Sequence, residues 1–236
     1  MVYAVILAGG SGTRLGADKP KQFLEIGSRP VIIRSIDAFL SSGFVDSIIV
    51  SVPEIYTGYM RELNHKFYPD VEITVVSGGA NRNSSLLNAL EYIKNNCNYD
   101  KKTVVLTHDA VRPFINSRII ADNIAAAREF GGCNTVVKCV DTVLVSEDGK
   151  FIHSVPDRRT LYNAQTPQSF LFERLYTVYS HLSDDEKENM TDACSVFIKY
   201  GRQVALVKGD EDNIKITYKG DLDRAETIIN KKTEDK

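Results

Sequence analysis

The feature that most constrains the fold is an alternation of two hydrophobic periods along the chain. Short β-branched runs recur at Tyr3 to Ala8, Ser47 to Val52, Glu72 to Val76, Thr103 to Thr107, Asn134 to Val145 and Gln203 to Val207. Between them apolar residues fall at helical spacing: Ile32, Ile33, Ile36, Phe39 and Leu40 within Pro30 to Leu40, then Leu86, Leu87, Leu90 and Ile93 within Ser84 to Ile93, then again over Ile119 to Ala127. A strand that is apolar on both faces must be covered on both, and the intervening helices supply the cover. The pattern therefore predicts an α/β chain of three layers, with a mostly parallel sheet in the middle. One stretch breaks the alternation. Asn134 to Val145, the turn Glu147-Asp148-Gly149-Lys150, and Phe151 to Val155 read as two strands about an Asp-Gly turn, a β-arm of about 134–158 projecting from the sheet. Further helices are expected over Phe170 to Leu182, Thr191 to Tyr200 and Asp221 to Asn230, and Ser183 with Glu186 forms a capping box. No repeat or linker interrupts residues 1–236, so a single domain is expected.

Composition narrows the partners. Lys and Arg number 29 against 31 Asp and Glu, a net charge of -2, with no basic run longer than a pair outside the Lys-rich tail from Lys231, so nucleic acid is not an expected partner. The apolar run Val2 to Ala8 is too short to span a bilayer and lacks a preceding basic segment, so it reads as a buried strand and no membrane association is expected. Cys97, Cys133, Cys139 and Cys194 show neither a disulfide framework nor zinc-ligand spacing, which points to a reducing, cytoplasmic compartment. Small molecules are the expected partners.

The first strand runs into Leu7-Ala8-Gly9-Gly10-Ser11-Gly12-Thr13-Arg14-Leu15-Gly16. A glycine-rich turn at the carboxyl edge of a parallel sheet lets backbone N–H groups approach phosphates. It does not match the dinucleotide fingerprint, because Leu15 stands where the third glycine should be, and no Gly-Lys-Ser/Thr follows. It is not a nucleophile elbow either, because Thr13 replaces the last glycine of Gly-x-Ser-x-Gly. Arg14, and Lys21 just beyond in Lys19-Pro20-Lys21-Gln22, place cations beside the loop. Polyphosphate is highly anionic and a leaving pyrophosphate gathers more charge, so loop and cations together favour a nucleoside triphosphate site. A dehydrogenase lacks support at Leu15, and a non-catalytic nucleotide-binding module would have no need of Arg14, Lys21 and Lys215.

A second glycine turn, Gly78 to Ser85, precedes the helix over Ser84 to Ile93. Its glycines let backbone approach a flat ring, and Ala80, Asn81 and Ser85 offer polar partners; Asn83 or Ser84 could equally serve as the helix N-cap. Asp109 follows the strand Thr103 to Thr107 at its carboxyl end, where ligand-facing residues collect. Two readings of it stand: a ligand for a divalent cation, Mg2+, beside the triphosphate, or an ion pair with Arg112 that fixes the loop before Pro113. His108 has no metal-ligand partner set and reads as scaffold, while His65, His153 and His181 have no evident role. In Asn213-Ile-Lys-Ile-Thr, alternation sets Lys215 opposite Ile214 and Ile216, as for a lysine reaching into a site or out to solvent.

These motifs carry a family resemblance. The opening loop with Pro20-Lys21-Gln22-Phe23, then Gly78 to Ser85, His108-Asp109-Ala110-Val111-Arg112-Pro113, Asp141-Thr142, Asp157-Arg158, Gln165-Thr166-Pro167-Gln168, Thr191-Asp192-Ala193 and Asp212 to Thr217 together resemble the cytidylyltransferases that activate polyol phosphates, along nearly the whole chain. That resemblance implies a Rossmann-like nucleotidyltransferase domain and a reaction of CTP with a polyol phosphate, giving a CDP-polyol and pyrophosphate. It implies that Leu7, Ala8, Gly9 and Gly10, with Gly79, Ala80, Asn81, Arg82, Asn83, Ser84 and Ser85, bind the cytidine side, with Ala110 and Arg112 nearby. It assigns Arg14 and Lys21 to the triphosphate, Arg158 and Lys215 to the acceptor phosphate, Thr142 and Thr166 to the acceptor, and Asp109 to Mg2+. It further implies a homodimer formed through the β-arm. Gly9-Gly10, the stretch from Leu182 to Glu188 and Thr191 to Cys194 look more like the ribitol 5-phosphate enzymes, which serve teichoic acid or other surface polysaccharides, than the methylerythritol 4-phosphate enzymes of isoprenoid synthesis. Ribitol 5-phosphate is the expected acceptor, with methylerythritol 4-phosphate as the alternative.

Overall fold

The computed structural model describes residues 1–10 and 19–234, with 232–234 as backbone alone. Strand β1 (Val2–Leu7) lies at the heart of the sheet: Val2, Ala4 and Ile6 enter one apolar cluster and Tyr3, Val5 and Leu7 the other. Every residue of β1 is buried, as a strand covered on both faces requires. On one side of it run β4 (Ser47–Val52) and β5 (Thr74–Ser77), on the other β6 (Val104–Asp109), all parallel to β1. Beyond β6 come β8 (Tyr162–Leu171), β7 (Gly132–Lys138) and β9 (Ala205–Lys208), so the order is β5-β4-β1-β6-β8-β7-β9, with β8 antiparallel to both neighbours.

The helices form the outer layers through the stripes legible in sequence. Helices α1 (Val31–Ser42), α2 (Thr57–Phe67) and α4 (Ser117–Phe130) bury Ile32, Ile33, Ile36, Phe39, Met60, Leu63, Ile119 and Ile120 against one face. The other face takes α3 (Arg82–Asn96), α5 (Phe172–Ser180) and α7 (Ala193–Lys199), through Leu86, Leu90, Leu175 and Phe197 among others. A small hairpin, β2 (Glu25–Ile26) and β3 (Arg29–Pro30), shares a third cluster with Val111, Phe114, Ile216 and the last helix, α8 (Lys219–Glu234). Helix α6 (Asp184–Asn189) buries none of its residues but carries the expected capping box: Ser183 N donates to Glu186 Oε2 at 2.8 Å and Glu186 N to Ser183 Oγ at 3.2 Å. No helix among the described residues is long and apolar enough to cross a membrane.

Three expectations are corrected. The strand expected over Asn134 to Val145 ends at Lys138, and its ladder partner is β8, with Val136 opposite Ala164 and Lys138 opposite Tyr162. The arm is thus the long connection between β7 and β8; its two sides share one isolated β-bridge, Val145 to Ser154, and nearer the base Cys139 N donates to Leu161 O at 3.1 Å. Its tip is the expected Asp-Gly turn, with Gly149 at φ +70 and the amides of Lys150 and Phe151 donating to Asp148 Oδ1. Second, Phe170 and Leu171 close strand β8 rather than opening a helix, which starts at Phe172. Third, the N-cap of α3 is Asn81, whose Oδ1 accepts from Ser84 N at 2.8 Å, and not Asn83 or Ser84.

Candidate active site

The carboxyl ends of β1, β5 and β6 converge on one cleft of about 250 Å³. Leu7, Ala8, Gly9 and Gly10 form one wall with the buried Gln22 behind them, Gly79, Ala80, Asn81, Arg82 and Ser85 another, and Asp109, Ala110 and Val111 the floor, with Lys21 and Lys215 at the rim. This is the edge at which open α/β sheets bind ligands.

One hydroxyl closes the second glycine loop and lies beside the first. Ser85 Oγ accepts from Gly79 N at 3.1 Å, donates to Asn81 O at 2.8 Å, and would lie 3.7 Å from a Cβ on Gly9. A Cβ on Gly79 would stand 2.4 Å from Ser84 Cβ and 2.9 Å from the Ser84 carbonyl carbon, so only glycine fits this close approach. Gln22, wholly buried, donates its amide to Ala8 O at 2.7 Å and so ties the short turn carrying Lys21 to the end of β1.

Asp109 is the last residue of β6, and three cations surround it. Lys215 Nζ lies 2.8 Å from Oδ2, Arg82 Nη2 lies 3.6 Å from Oδ1, and Arg112 Nε lies 3.8 Å from Oδ2. Burial works to raise its pKa, but Arg82, Lys215 and Arg112 together prevail and hold the carboxyl below the usual carboxylate range. Burial also draws the guanidinium of Arg112 down, with Asp109 opposing. Both readings of Asp109 therefore share one geometry, because its Arg112 pair and its place in the cleft coexist. Among the described residues no group of three or more His, Cys, Asp or Glu side chains could hold a metal ion. A lone carboxylate suits Mg2+ when substrate phosphates and water supply the remaining oxygens, and Asp109 on the cleft floor has that chemistry.

The structure distributes the expected residues unevenly. Lys21, Lys215, Arg82 and Ser85 reach the cleft with both glycine loops. Arg14 lies outside the described residues. Thr142 and Arg158 are exposed on the arm, where Arg158 Nη1 donates to Val140 O at 2.8 Å, and neither lines the cleft. Asn83 turns inward: its amide donates to Lys187 O at 3.0 Å and Met190 O at 2.7 Å and accepts from Tyr179 Oη at 2.9 Å. Ser84 gives its backbone N–H to the Asn81 cap. Thr166 is buried beneath the floor, accepting from Asp109 N at 3.1 Å, and Arg112 donates to Asn213 O at 2.8 Å. Gln22 and Val111 line the cleft without having been singled out. The polar Gln22 beside Pro20-Lys21 was the available signal for the first.

A parallel sheet whose carboxyl edge joins two glycine loops to a cation-ringed carboxylate is the architecture of a nucleotidyltransferase. The chain belongs to the IspD family, 2-C-methyl-D-erythritol 4-phosphate cytidylyltransferase, whose model matches residues 2–231. It is accordingly a CTP-using cytidylyltransferase. Among similar solved structures, the 4-diphosphocytidyl-2C-methyl-D-erythritol synthase of Anaerococcus prevotii is 28% identical, with 97% of this chain and 98% of that one covered and a TM-score of 0.80. The 2-C-methyl-D-erythritol 4-phosphate cytidylyltransferase of Francisella tularensis is 26% identical over 95% of this chain and 97% of that one, with a TM-score of 0.79. That of Thermus thermophilus is 25% identical over 96% and 98%, with a TM-score of 0.72. The family and these neighbours carry the methylerythritol name, which supports the alternative acceptor, methylerythritol 4-phosphate, better than the expected ribitol 5-phosphate.

Proposed function

We propose that this enzyme transfers the cytidylyl group of CTP to 2-C-methyl-D-erythritol 4-phosphate. An oxygen of the acceptor phosphate attacks the α-phosphorus, the bond from that phosphorus to the bridging oxygen breaks, and pyrophosphate leaves. The observation that carries the reading is Asp109, ringed by Lys215, Arg82 and Arg112 on the floor between two glycine loops. A phosphate anion is already a competent nucleophile, so catalysis rests on positioning and on stabilising charge, without a covalent enzyme intermediate.

In this reading the loop Gly79 to Ser85 and residues Leu7 to Gly10 hold the cytidine, while Arg14 and Lys21 neutralise the triphosphate. Lys215 holds the acceptor phosphate, joined by Arg158. Asp109 would help hold Mg2+, which when bound screens the phosphate charge. Thr142 and Arg158 do not line the cleft of their own chain, and a second copy of the chain would bring its arm to it. The exposed apolar side chains of the arm, Val140, Leu144, Phe151, Ile152 and Val155, support such a homodimer.

A second acceptor, ribitol 5-phosphate, is favoured by Gly9-Gly10, by the stretch 182–188 and by Thr191 to Cys194. Pyrophosphate release from CTP with methylerythritol 4-phosphate, ribitol 5-phosphate and glycerol 3-phosphate, each with and without Mg2+, tests both. Fastest turnover on methylerythritol 4-phosphate is expected. A clear preference for ribitol 5-phosphate would reverse the acceptor, and equal turnover with ATP or GTP in place of CTP would remove the cytidine reading.

A further inference from the structure

Beneath the cleft floor, hydrogen bonds from several elements hold the turn 109–112. Ala110 N donates to Leu7 O at 3.0 Å, Arg112 N to Asp109 O at 3.0 Å, and Ile216 N to Val111 O at 2.9 Å. Ser35 Oγ donates to Ala110 O at 2.8 Å. Asp109 N and Arg112 O are joined through the interior by two side chains. His108 Nε2 lies 3.0 Å from Arg112 O, His108 Nδ1 lies 3.0 Å from Thr166 Oγ1, and Thr166 Oγ1 accepts from Asp109 N at 3.1 Å.

Donor counting leaves one arrangement of protons. A backbone carbonyl only accepts, so Nε2 of His108 carries the hydrogen that meets Arg112 O. In the neutral ring Nδ1 is then a bare acceptor, and Thr166 has a single O–H to give it. That leaves the lone pairs of Thr166 for the Asp109 amide. Both side chains are buried, His108 wholly so, and its ring packs edge-on against Phe39 with centroids 5.1 Å apart. The hydroxyl of Thr166 is thereby committed within the protein.

We propose that His108 and Thr166 form a positioning pair that fixes the Asp109 carboxylate on the cleft floor. Thr166 then acts on the reaction through Asp109 and not by touching the acceptor. The inference rests on the reading of Asp109 in the proposed function. Loss of the hydroxyl leaves a buried N–H and a buried ring nitrogen without partners, and the carboxylate that follows that N–H shifts with it.

Two measurements test this. Nitrogen-15 NMR of histidine-labelled wild-type protein without ligands, with His108 assigned by the signal missing from H108Q, is expected to show a neutral ring protonated at Nε2. A ring protonated at Nδ1 would overturn the wiring. Steady-state kinetics of T166V and T166S form the second. T166V is expected to lose about tenfold or more in kcat with the KM for the acceptor unchanged, as a displaced catalytic group demands, and T166S to restore most of the turnover. A rise in acceptor KM at unchanged kcat would mean that the hydroxyl touches the acceptor, and the proposal would fail. Should T166V not fold, the wild-type tautomer still decides the wiring. Inactivity of wild type on every polyol phosphate would instead strike the proposed function, which the NMR result does not depend on.

Discussion

Lys215 and Gly79 are the two residues whose replacement should separate chemistry from fold. Lys215 is half-exposed, so Lys215→Ala is expected to leave the thermal midpoint nearly unchanged while lowering kcat about a hundredfold, the usual scale for removing one donor from developing charge. Wild-type turnover would return Lys215 to the role of a solvated partner of Asp109. Gly79→Ala forces a Cβ to within 2.4 Å of Ser84 Cβ and 2.9 Å of its carbonyl carbon, so the loop must move away from the Ser85 hydroxyl. Isothermal titration should show CTP affinity falling at least tenfold, about 1.4 kcal/mol. His108 sets a pH dependence of its own. Burial, opposed by its contact with Arg112 O, draws its pKa from 6.5 down to about 4. The unfolded chain therefore binds the extra proton in that window. Stability from this source is complete above about pH 6.5 and is lost as pH falls through 4, and Asp109, with its carboxyl held low, adds a loss in the same direction at lower pH. Denaturant unfolding at pH 7 and at about pH 4.5 should differ by about 2 kcal/mol on account of His108, and that share should vanish in H108Q.

Helix α3 links the cleft to the surface element α6. Asn81 caps its first turn, and Asn83, two residues on, carries the carbonyls of Lys187 and Met190 on one amide. Asn83→Ala strips partners from two carbonyls and from Tyr179 Oη, so a loss of about 2 kcal/mol in unfolding free energy is expected, with faster amide exchange concentrated in 183–191. Unchanged exchange there would show that α6 is held by other contacts. None of this was legible in sequence, because Asn83 stands at a helix start where a ligand contact, a cap and an inward clasp look alike. The stripes of α1, α3 and α4 were legible because each faces a sheet already buried. Strand β8 was not. Pro167 has no N–H, and a proline ordinarily argues against a central strand. Here the register with β7 passes from Asn134 opposite Gln168 to Val136 opposite Ala164, so the proline sits where the ladder skips. Helix α2 escaped notice for a different reason: it buries only Thr57, Met60, Leu63 and Asn64, too few apolar residues to draw a stripe. At the site, the glycine loops, Lys21 and Asp109 could be picked out by residue type and spacing, whereas Lys215 was assigned by the family resemblance. The Thr166 hydroxyl could not be picked out by spacing, because its commitment to His108 depends on two strands meeting.

For the whole molecule, the question is whether one chain completes one site. The cleft holds Lys21, Asp109 and Lys215, while Thr142 and Arg158 stand on an arm whose two sides share one isolated β-bridge rather than a ladder. An arm with so little internal pairing, and with Phe151 75% and Val140 69% exposed, needs another surface to pack against. The proposed homodimer would meet both needs, because a two-fold axis would let each arm lie on its partner and offer Arg158 and Thr142 to the partner's cleft. Light scattering should then report a dimer, and mixing variants should reveal shared sites. Lys21→Ala and Arg158→Ala protomers are each expected to be nearly inactive alone. In the mixed dimer one cleft carries both lesions and the other neither, so that species should recover to about half of wild-type activity. No recovery despite demonstrated subunit exchange would place Arg158 in the service of its own chain's cleft, and a monomer in solution would remove the shared site altogether.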